Sequence, residues 1–271
     1  KSDEWKDISK KLYNILFKDG EKYMINKKRI LISPHKILHY FPFQVLTDDK
    51  DKMIIEKYDI SYLPSASVLK YCQNKNTLKK EKLLAFDLGS FKVGELPALP
   101  GTEEEVKAIS EYFPHREIYS GKDMSSEILY KKGGDFDILH LATHGVMDTN
   151  SPLFSSLVFS DRRLNVYEIF DLNLKASLVT LSACKTGLGE EANGDELVGL
   201  SRAFIYAGTP TICSSLWDVS DRATSELMKS FYFHLRDKNK TEALRLAQLD
   251  IMKKYHHPFF WAPFVLTGDW R

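Results

Sequence analysis

Two buried strands are predicted by residues 136–145, which read FDILHLATHG, and by residues 176–187, which read ASLVTLSACKTG. Each stretch is a continuous apolar run that ends in small and polar residues, a pattern typical of strands covered on both faces. Such strands usually pair in parallel, so that their carboxyl ends meet at one edge of a sheet. If the two strands are neighbours, His144 and Cys184 lie at the same edge.

The rest of the chain alternates predicted strands with predicted helices. Predicted strands are residues 29–34, 38–46, 53–63, 82–88, 117–119, 209–217 and 259–267. Predicted helices are residues 2–17, 65–72, 102–114, 123–132, 195–207, 221–236 and 240–255, and Thr102 is expected to cap the third of these. The alternation indicates an α/β fold with a mostly parallel sheet flanked by helices. The lysine-rich residues 75–82 form a candidate linker.

Composition excludes several classes of function. The net charge is +1 over 271 residues, which gives no electrostatic footprint for nucleic acid, and no apolar run is long enough to span a membrane. Three cysteines without a CxxC pair or a secretory signal favour a reducing, cytoplasmic setting over a disulfide framework. The first residues, KSDEW, contain no initiating methionine, and we expect the chain to be a piece of a longer protein or a processed product.

Cys184 and His144 have the chemistry of a nucleophile and its partner. A thiolate attacks carbonyl carbon, and a nearby imidazole stabilises it or transfers its proton. Gly145 permits close backbone approach, and its N–H with that of Cys184 is a candidate oxyanion hole. His140 lies four residues before His144, but on a strand this spacing separates the two too far to share zinc. The sequence therefore predicts no zinc site shared by His140 and His144.

Seven ordered pieces of the chain resemble the CHAT domain, a relative of caspases and separase. They are ILISPHKILHYFPFQVL, YDISYLPSASVL, LPGTEEEV, ILHLATHG, LVTLSACKTG, NGDELVGLSRAFIYAGTPTICSSLWDVSD and FFWAPFVLTGDW. The resemblance implies a cysteine endopeptidase without metal or cofactor, in which His144 and Cys184 form the catalytic dyad. It also implies a caspase-like fold whose smaller, degenerate amino-terminal half, residues 1–78, is a pseudo-protease followed by the active half, residues 79–271.

Two acidic residues are candidates for binding substrate. Residues 216–221, LWDVSD, are similar to the separase segment LWDVTD, whose aspartate lines the pocket for the residue before the cut and favours arginine. The resemblance assigns that role to Asp218 and implies cleavage after a basic residue, although other CHAT relatives cut after apolar residues. Asp195, which resembles the aspartate of a family GDE motif, either caps the next helix or lines the pocket near Asp218.

The resemblance also implies partners. CHAT domains are effector modules attached to tetratricopeptide repeats or other sensors, with links to bacterial antiviral defence and RNA-guided systems. We therefore expect a protein or peptide substrate and a regulatory partner or upstream sensor, with no direct nucleic-acid or membrane binding. The alternative is a catalytically silent caspase-like scaffold, whose signature would be a lost dyad, whereas both residues are present. A metal-dependent hydrolase would need a ligand cluster that the sequence does not assemble.

Overall fold

The computed structural model describes residues 4–74, 81–182, 184–186, 195–218 and 221–271, without the side chains of residues 184–186, 195–198 and 221. The helices are α1 Glu4–Leu16, α2 Glu21–Met24, α3 Ile54–Lys57, α4 Ala66–Gln73, α5 Pro100–Ser110, α6 Ser126–Lys132, α7 Val166–Ile169, α8 Asp195–Ala207, α9 Asp221–Leu235, α10 Lys240–Lys254 and α11 Pro258–Trp261. The strands are β1 Arg29–Ile32, β2 Asp59–Tyr62, β3 Lys82–Asp87, β4 His115–Ser120, β5 Ile138–Ala142, β6 His144–Val146, β7 Ser156–Val158, β8 Arg163–Asn165, β9 Leu178–Leu181, β10 Cys184–Thr186, β11 Thr211–Ser215 and β12 Phe264–Gly268.

An eight-stranded sheet forms the centre of the molecule, in the order β1-β2-β12-β11-β9-β5-β3-β4. Every neighbouring pair is parallel except β11 and β12, which run antiparallel. This confirms the predicted α/β class with a mostly parallel sheet. β1 and β2 join the same sheet as the later strands, and the predicted division at residue 78, which falls outside the described ranges, stays a prediction.

Both faces of the sheet are buried, and the pleat decides which residue faces which side. In β3, Leu84 and Phe86 belong to the hydrophobic cluster that includes residues of α6, α7 and α8. Leu83 and Ala85 belong to the opposite cluster, which includes residues of α5, α9 and α10. Continuous apolar strands therefore reflect helices on both faces, as the sequence pattern predicts.

A second, four-stranded sheet in the order β10-β6-β7-β8 was not predicted from the sequence. Its strands are three residues long, too short to show a clear alternation of apolar and polar side chains. Thr143 joins the two sheets, because it follows β5 directly and its hydroxyl donates to the carbonyl oxygen of Val158 in β7. The small sheet thus continues from the carboxyl ends of β5 and β9.

The prediction of a strand over residues 38–46 was wrong. Two 3₁₀ turns, Lys36–Tyr40 and Phe43–Val45, overlap that segment instead. Tyr62 satisfies the backbone between them, since its hydroxyl accepts from the Phe43 N–H at 3.0 Å and donates to the Phe41 oxygen at 2.8 Å. A buried tyrosine hydroxyl here replaces the hydrogen bonds that a neighbouring strand would supply.

Among the described residues, no helix has the length and apolar character needed to cross a membrane.

Substituting Gly208 should destabilise the protein strongly. Gly208 follows α8 with φ +130°, and an added Cβ would lie 2.0 Å from the Leu174 carbonyl oxygen. Because both the backbone conformation and the space require glycine, Gly208→Ala should lower the free energy of unfolding by more than about 3 kcal/mol in urea titrations. Gly20→Ala is the control, because no atom lies within 4 Å of its added Cβ. Equal effects of the two substitutions would contradict this account.

Candidate active site

The carboxyl ends of three adjacent parallel strands position the predicted site residues. β5, β9 and β11 are neighbours in the large sheet. His144 follows β5, Cys184 follows β9, and Asp218 lies three residues beyond the end of β11. Sites in open α/β sheets form at this edge, where loops leave the strands.

His144 and Cys184 are register partners. In the large sheet Leu141 of β5 pairs with Leu181 of β9, and three residues later His144 of β6 pairs with Cys184 of β10. The Ser182 N–H donates to the Leu141 oxygen at 3.0 Å and continues the pairing between the two sheets. Neighbouring strands lie about 4.8 Å apart, so the backbones of His144 and Cys184 are in direct contact.

The His144 imidazole is held by a backbone carbonyl. Its side chain is buried, with 1% exposure, and Nε2 lies 2.8 Å from the carbonyl oxygen of Pro97. Because a carbonyl oxygen only accepts hydrogen bonds, this contact requires a proton on Nε2. Nδ1 is buried and has no hydrogen-bond partner among the described residues. In the neutral ring, Nδ1 therefore carries the lone pair that can act as a base.

Pro97 is the member of the site that the sequence did not reveal. It contributes a main-chain oxygen, which every residue possesses, so no residue type marks the position. It lies in the loop between β3 and α5, within the LPALPGTEEE stretch at residues 96–105. The only signal was the presence of two prolines in that stretch, which favours an irregular loop with a fixed conformation.

Asp87 is a buried acid at the end of β3, beside the end of β5. Its side chain is 1% exposed, and Oδ2 accepts a hydrogen bond of 2.6 Å from the Ser120 hydroxyl. Burial raises the pKa of the Asp87 carboxyl above its usual range, and the hydrogen bond from Ser120 opposes that rise in part. Nearby Glu103 also raises it.

His140 belongs to a separate polar cluster inside the core. Its Nδ1 lies 3.1 Å from the Tyr232 hydroxyl, which donates to Thr180 Oγ1 at 2.9 Å. Nε2 lies 2.9 Å from Glu105 Oε1, although the two atoms are not hydrogen-bonded. Burial raises the pKa values of Tyr232 and of the Cys213 thiol, so both stay neutral at neutral pH. His140 is therefore a core residue, as its position on β5 indicates.

Two of the remaining predicted site residues, Gly145 and Asp218, follow strands that end at the same edge of the sheet. Gly145 is buried in β6, where it pairs with Lys185 of β10 and Leu157 of β7. Asp218 is exposed. Asp195 is the first residue of α8, and its side chain lies outside the description.

Within the described part of the chain, no group of three or more His, Cys, Asp or Glu side chains is arranged to hold a metal ion.

Comparison with known proteins identifies the family. The family model of the CHAT domain matches residues 6–269. The chain belongs to the CHAT domain family. Tetratricopeptide repeat protein 28 of Mus musculus is 35% identical over 115 residues, and its Homo sapiens counterpart is 31% identical over 111. Each match covers 39% of this CHAT domain and 4% of the relative, so the chain spans a small part of their length.

Solved structures share the fold of this CHAT domain. A chain of the Saccharomyces cerevisiae separase–securin complex superposes with a TM-score of 0.60 at 16% identity, over 85% of this chain and 14% of that chain. The Arg-specific cysteine proteinase gingipain R gives a TM-score of 0.59 at 13% identity, over 98% of this chain and 66% of that chain. The CHAT domain thus has a caspase-like fold, which it shares with these separase and gingipain chains.

Asp87 should make the stability of the CHAT domain depend on pH. Because its pKa is raised in the folded protein, the folded state holds the proton more tightly than the unfolded state does. The free energy of unfolding should therefore fall as pH rises through the raised pKa, and Asp87→Asn should remove that fall while keeping an acceptor for Ser120. Urea unfolding of both proteins between about pH 4 and pH 8 measures the difference between their free energies of unfolding. If the stability of Asp87→Asn relative to the wild type does not increase with pH, the raised pKa of Asp87 is contradicted.

Proposed function

We propose that this CHAT domain is a cysteine endopeptidase in which Cys184 is the nucleophile and His144 its acid–base partner. The observation that carries the proposal is the in-register pairing of these two residues beyond the carboxyl ends of β5 and β9. A thiol and an imidazole are the two groups that nucleophilic catalysis by cysteine uses, and this pairing brings the residues that carry them to adjacent strand ends.

The Nε2–H contact with Pro97 gives each nitrogen of His144 a separate role. Nδ1 takes the proton of the Cys184 thiol, and the thiolate attacks the carbonyl carbon of the peptide bond. The protonated Nδ1 then gives that proton to the leaving amine as the C–N bond breaks and a thioester forms. Water, deprotonated by Nδ1, hydrolyses the thioester, and the returned proton restores the thiol.

We assign the oxyanion hole to the backbone N–H groups of Gly145 and Cys184. The two residues lie on adjacent strands, one position apart in register, since Gly145 pairs with Lys185. Donors aimed at the developing negative charge are worth a factor of about 100 to 1000 in rate each.

Asp218 is our candidate for substrate recognition. It is exposed and follows β11, the neighbour of the strand that leads to Cys184. A carboxylate there accepts paired hydrogen bonds from a guanidinium, so we propose cleavage after arginine or lysine. Asp195, at the start of α8, is a second candidate for the same pocket.

The relatives support a regulated effector. The curated relatives are tetratricopeptide repeat proteins, and the domain spans 4% of their length. We propose that this domain acts under control of a protein partner or of a sensor elsewhere in a longer chain. A division into a pseudo-protease half, residues 1–78, and an active half, residues 79–271, belongs to the same proposal. The link to antiviral defence and RNA-guided systems rests on the resemblance alone.

Removing the thiol should abolish peptidase activity. Cys184→Ala should lower hydrolysis of a fluorogenic peptide library by at least about 1000-fold, because it removes the proposed nucleophile. Cys72→Ala is the matched control, since Cys72 is a fully buried cysteine in α4.

The outcome separates the enzyme from a silent scaffold. Full activity in Cys184→Ala would overturn the dyad. A wild-type protein that cleaves no peptide, alone or with its partner, would favour the scaffold.

Asp218 should determine the residue before the cut. Asp218→Asn keeps the shape but removes the charge, and it should reduce kcat/KM for arginine peptides by about 10- to 100-fold while sparing apolar peptides. Asp237→Asn, an exposed residue after α9, is the control. Unchanged arginine preference in Asp218→Asn would remove Asp218 from the pocket.

A further inference from the structure

The loop that carries Pro97 is closed by hydrogen bonds at its two ends. Leu88, at the start, donates its N–H to the Ala142 oxygen of β5 at 3.2 Å. Gly89 follows, and its carbonyl oxygen accepts from the Leu99 N–H at 2.8 Å. Residues 89–99 therefore form a loop with joined ends, and Pro97 lies two residues before the closing bond.

Thr102 bonds to both ends of this loop with one hydroxyl. Its Oγ1 accepts from the Gly89 N–H at 3.1 Å and donates to the Leu99 oxygen at 2.8 Å. The side chain is buried, with 7% exposure. The sequence predicted that Thr102 caps α5, but the helix begins at Pro100 and its N-cap is Leu99. Thr102 thus lies within the first turn, and its hydroxyl serves the loop.

Gly89 is constrained at the same point. Its φ is +53°, a conformation that residues with a side chain rarely adopt. An added Cβ would lie 3.1 Å from Asp87 Oδ1 and 3.6 Å from Glu103 Oε2. The start of the loop therefore has little freedom to move, and the hydroxyl of Thr102 fixes its end relative to its start.

We propose that Thr102 is a positioning residue for His144. By joining Gly89 to Leu99, its hydroxyl fixes the Pro97 carbonyl against His144 Nε2, and so holds the proton on Nε2 and the lone pair on Nδ1. The catalytic consequence rests on the proposed peptidase function, whereas the control of the imidazole tautomer does not. A threonine that only stabilised the start of α5 would leave the tautomer unchanged.

The imidazole tautomer is the direct test. In protein labelled with ¹⁵N-histidine, long-range ¹H–¹⁵N spectra distinguish Nε2–H from Nδ1–H rings, and His144→Gln identifies the His144 signal. Wild type and Thr102→Ser should show the Nε2–H form alone. Thr102→Val, which has the same shape without the hydroxyl, should show a mixture of tautomers. His257 is the internal control, because its Nδ1 accepts from the Phe259 N–H, away from the loop.

Gly89→Ala provides a second variant that acts on the other end of the loop, and it decides the question if Thr102→Val does not fold. It should also produce a mixture of tautomers, because its Cβ displaces the loop end. A single Nε2–H tautomer retained in every folded variant of this pair would overturn the positioning role.

Kinetics keep this proposal separate from the peptidase function. With a cleavable peptide, Thr102→Val should lower kcat by about 10- to 100-fold with KM within about twofold, and Thr102→Ser should restore most of the rate. If the wild type cleaves nothing, the peptidase proposal fails, and the tautomer spectra still decide whether Thr102 positions His144.

Discussion

Parallel pairing between β5 and β9 determines where the candidate catalytic residues lie. The pairing brings Leu141 opposite Leu181, and the same register continues through β6 and β10 to bring His144 opposite Cys184. Backbone hydrogen bonds set this register, so no contact between the two side chains is needed to bring the residues together. A slip of one residue along either strand would reverse the faces and separate the pair.

The sequence predicts the central strands and the positions of His144 and Cys184. A strand that is buried on both faces has an unbroken apolar run, and such runs are visible in the sequence. β5, β9 and β11 lie within the predicted segments, and α8 has the predicted bounds. The positions of the two reactive residues follow from the rule that parallel strands share a carboxyl edge. Their catalytic roles, and those of Gly145, Asp195 and Asp218, stay predictions.

Other features of the fold and of the candidate site are not indicated by the residue type at any position. The small sheet is built from three-residue strands, and the segment before β2 uses the Tyr62 hydroxyl in place of a partner strand. Pro97 takes part through its main chain. Thr102 and Glu105 have the spacing of a capping box, yet Thr102 bonds to the loop and Glu105 is buried beside His140. Tertiary contacts at this helix therefore override the local capping-box signal.

Residues 99–105, which read LPGTEEE, therefore contact the surroundings of the candidate site through one helix, α5. At its start, α5 holds the loop through Thr102, and one turn later Glu105 meets His140 on β5, the strand that leads to His144. A buried acid beside an imidazole is costly to desolvate, so this contact is weak evidence for stability. With α5 fixed on β5, the Pro97 carbonyl and the His144 ring are placed by the same helix and strand. Their distance then depends on few intervening bonds, which is the condition for a hydrogen bond of fixed length.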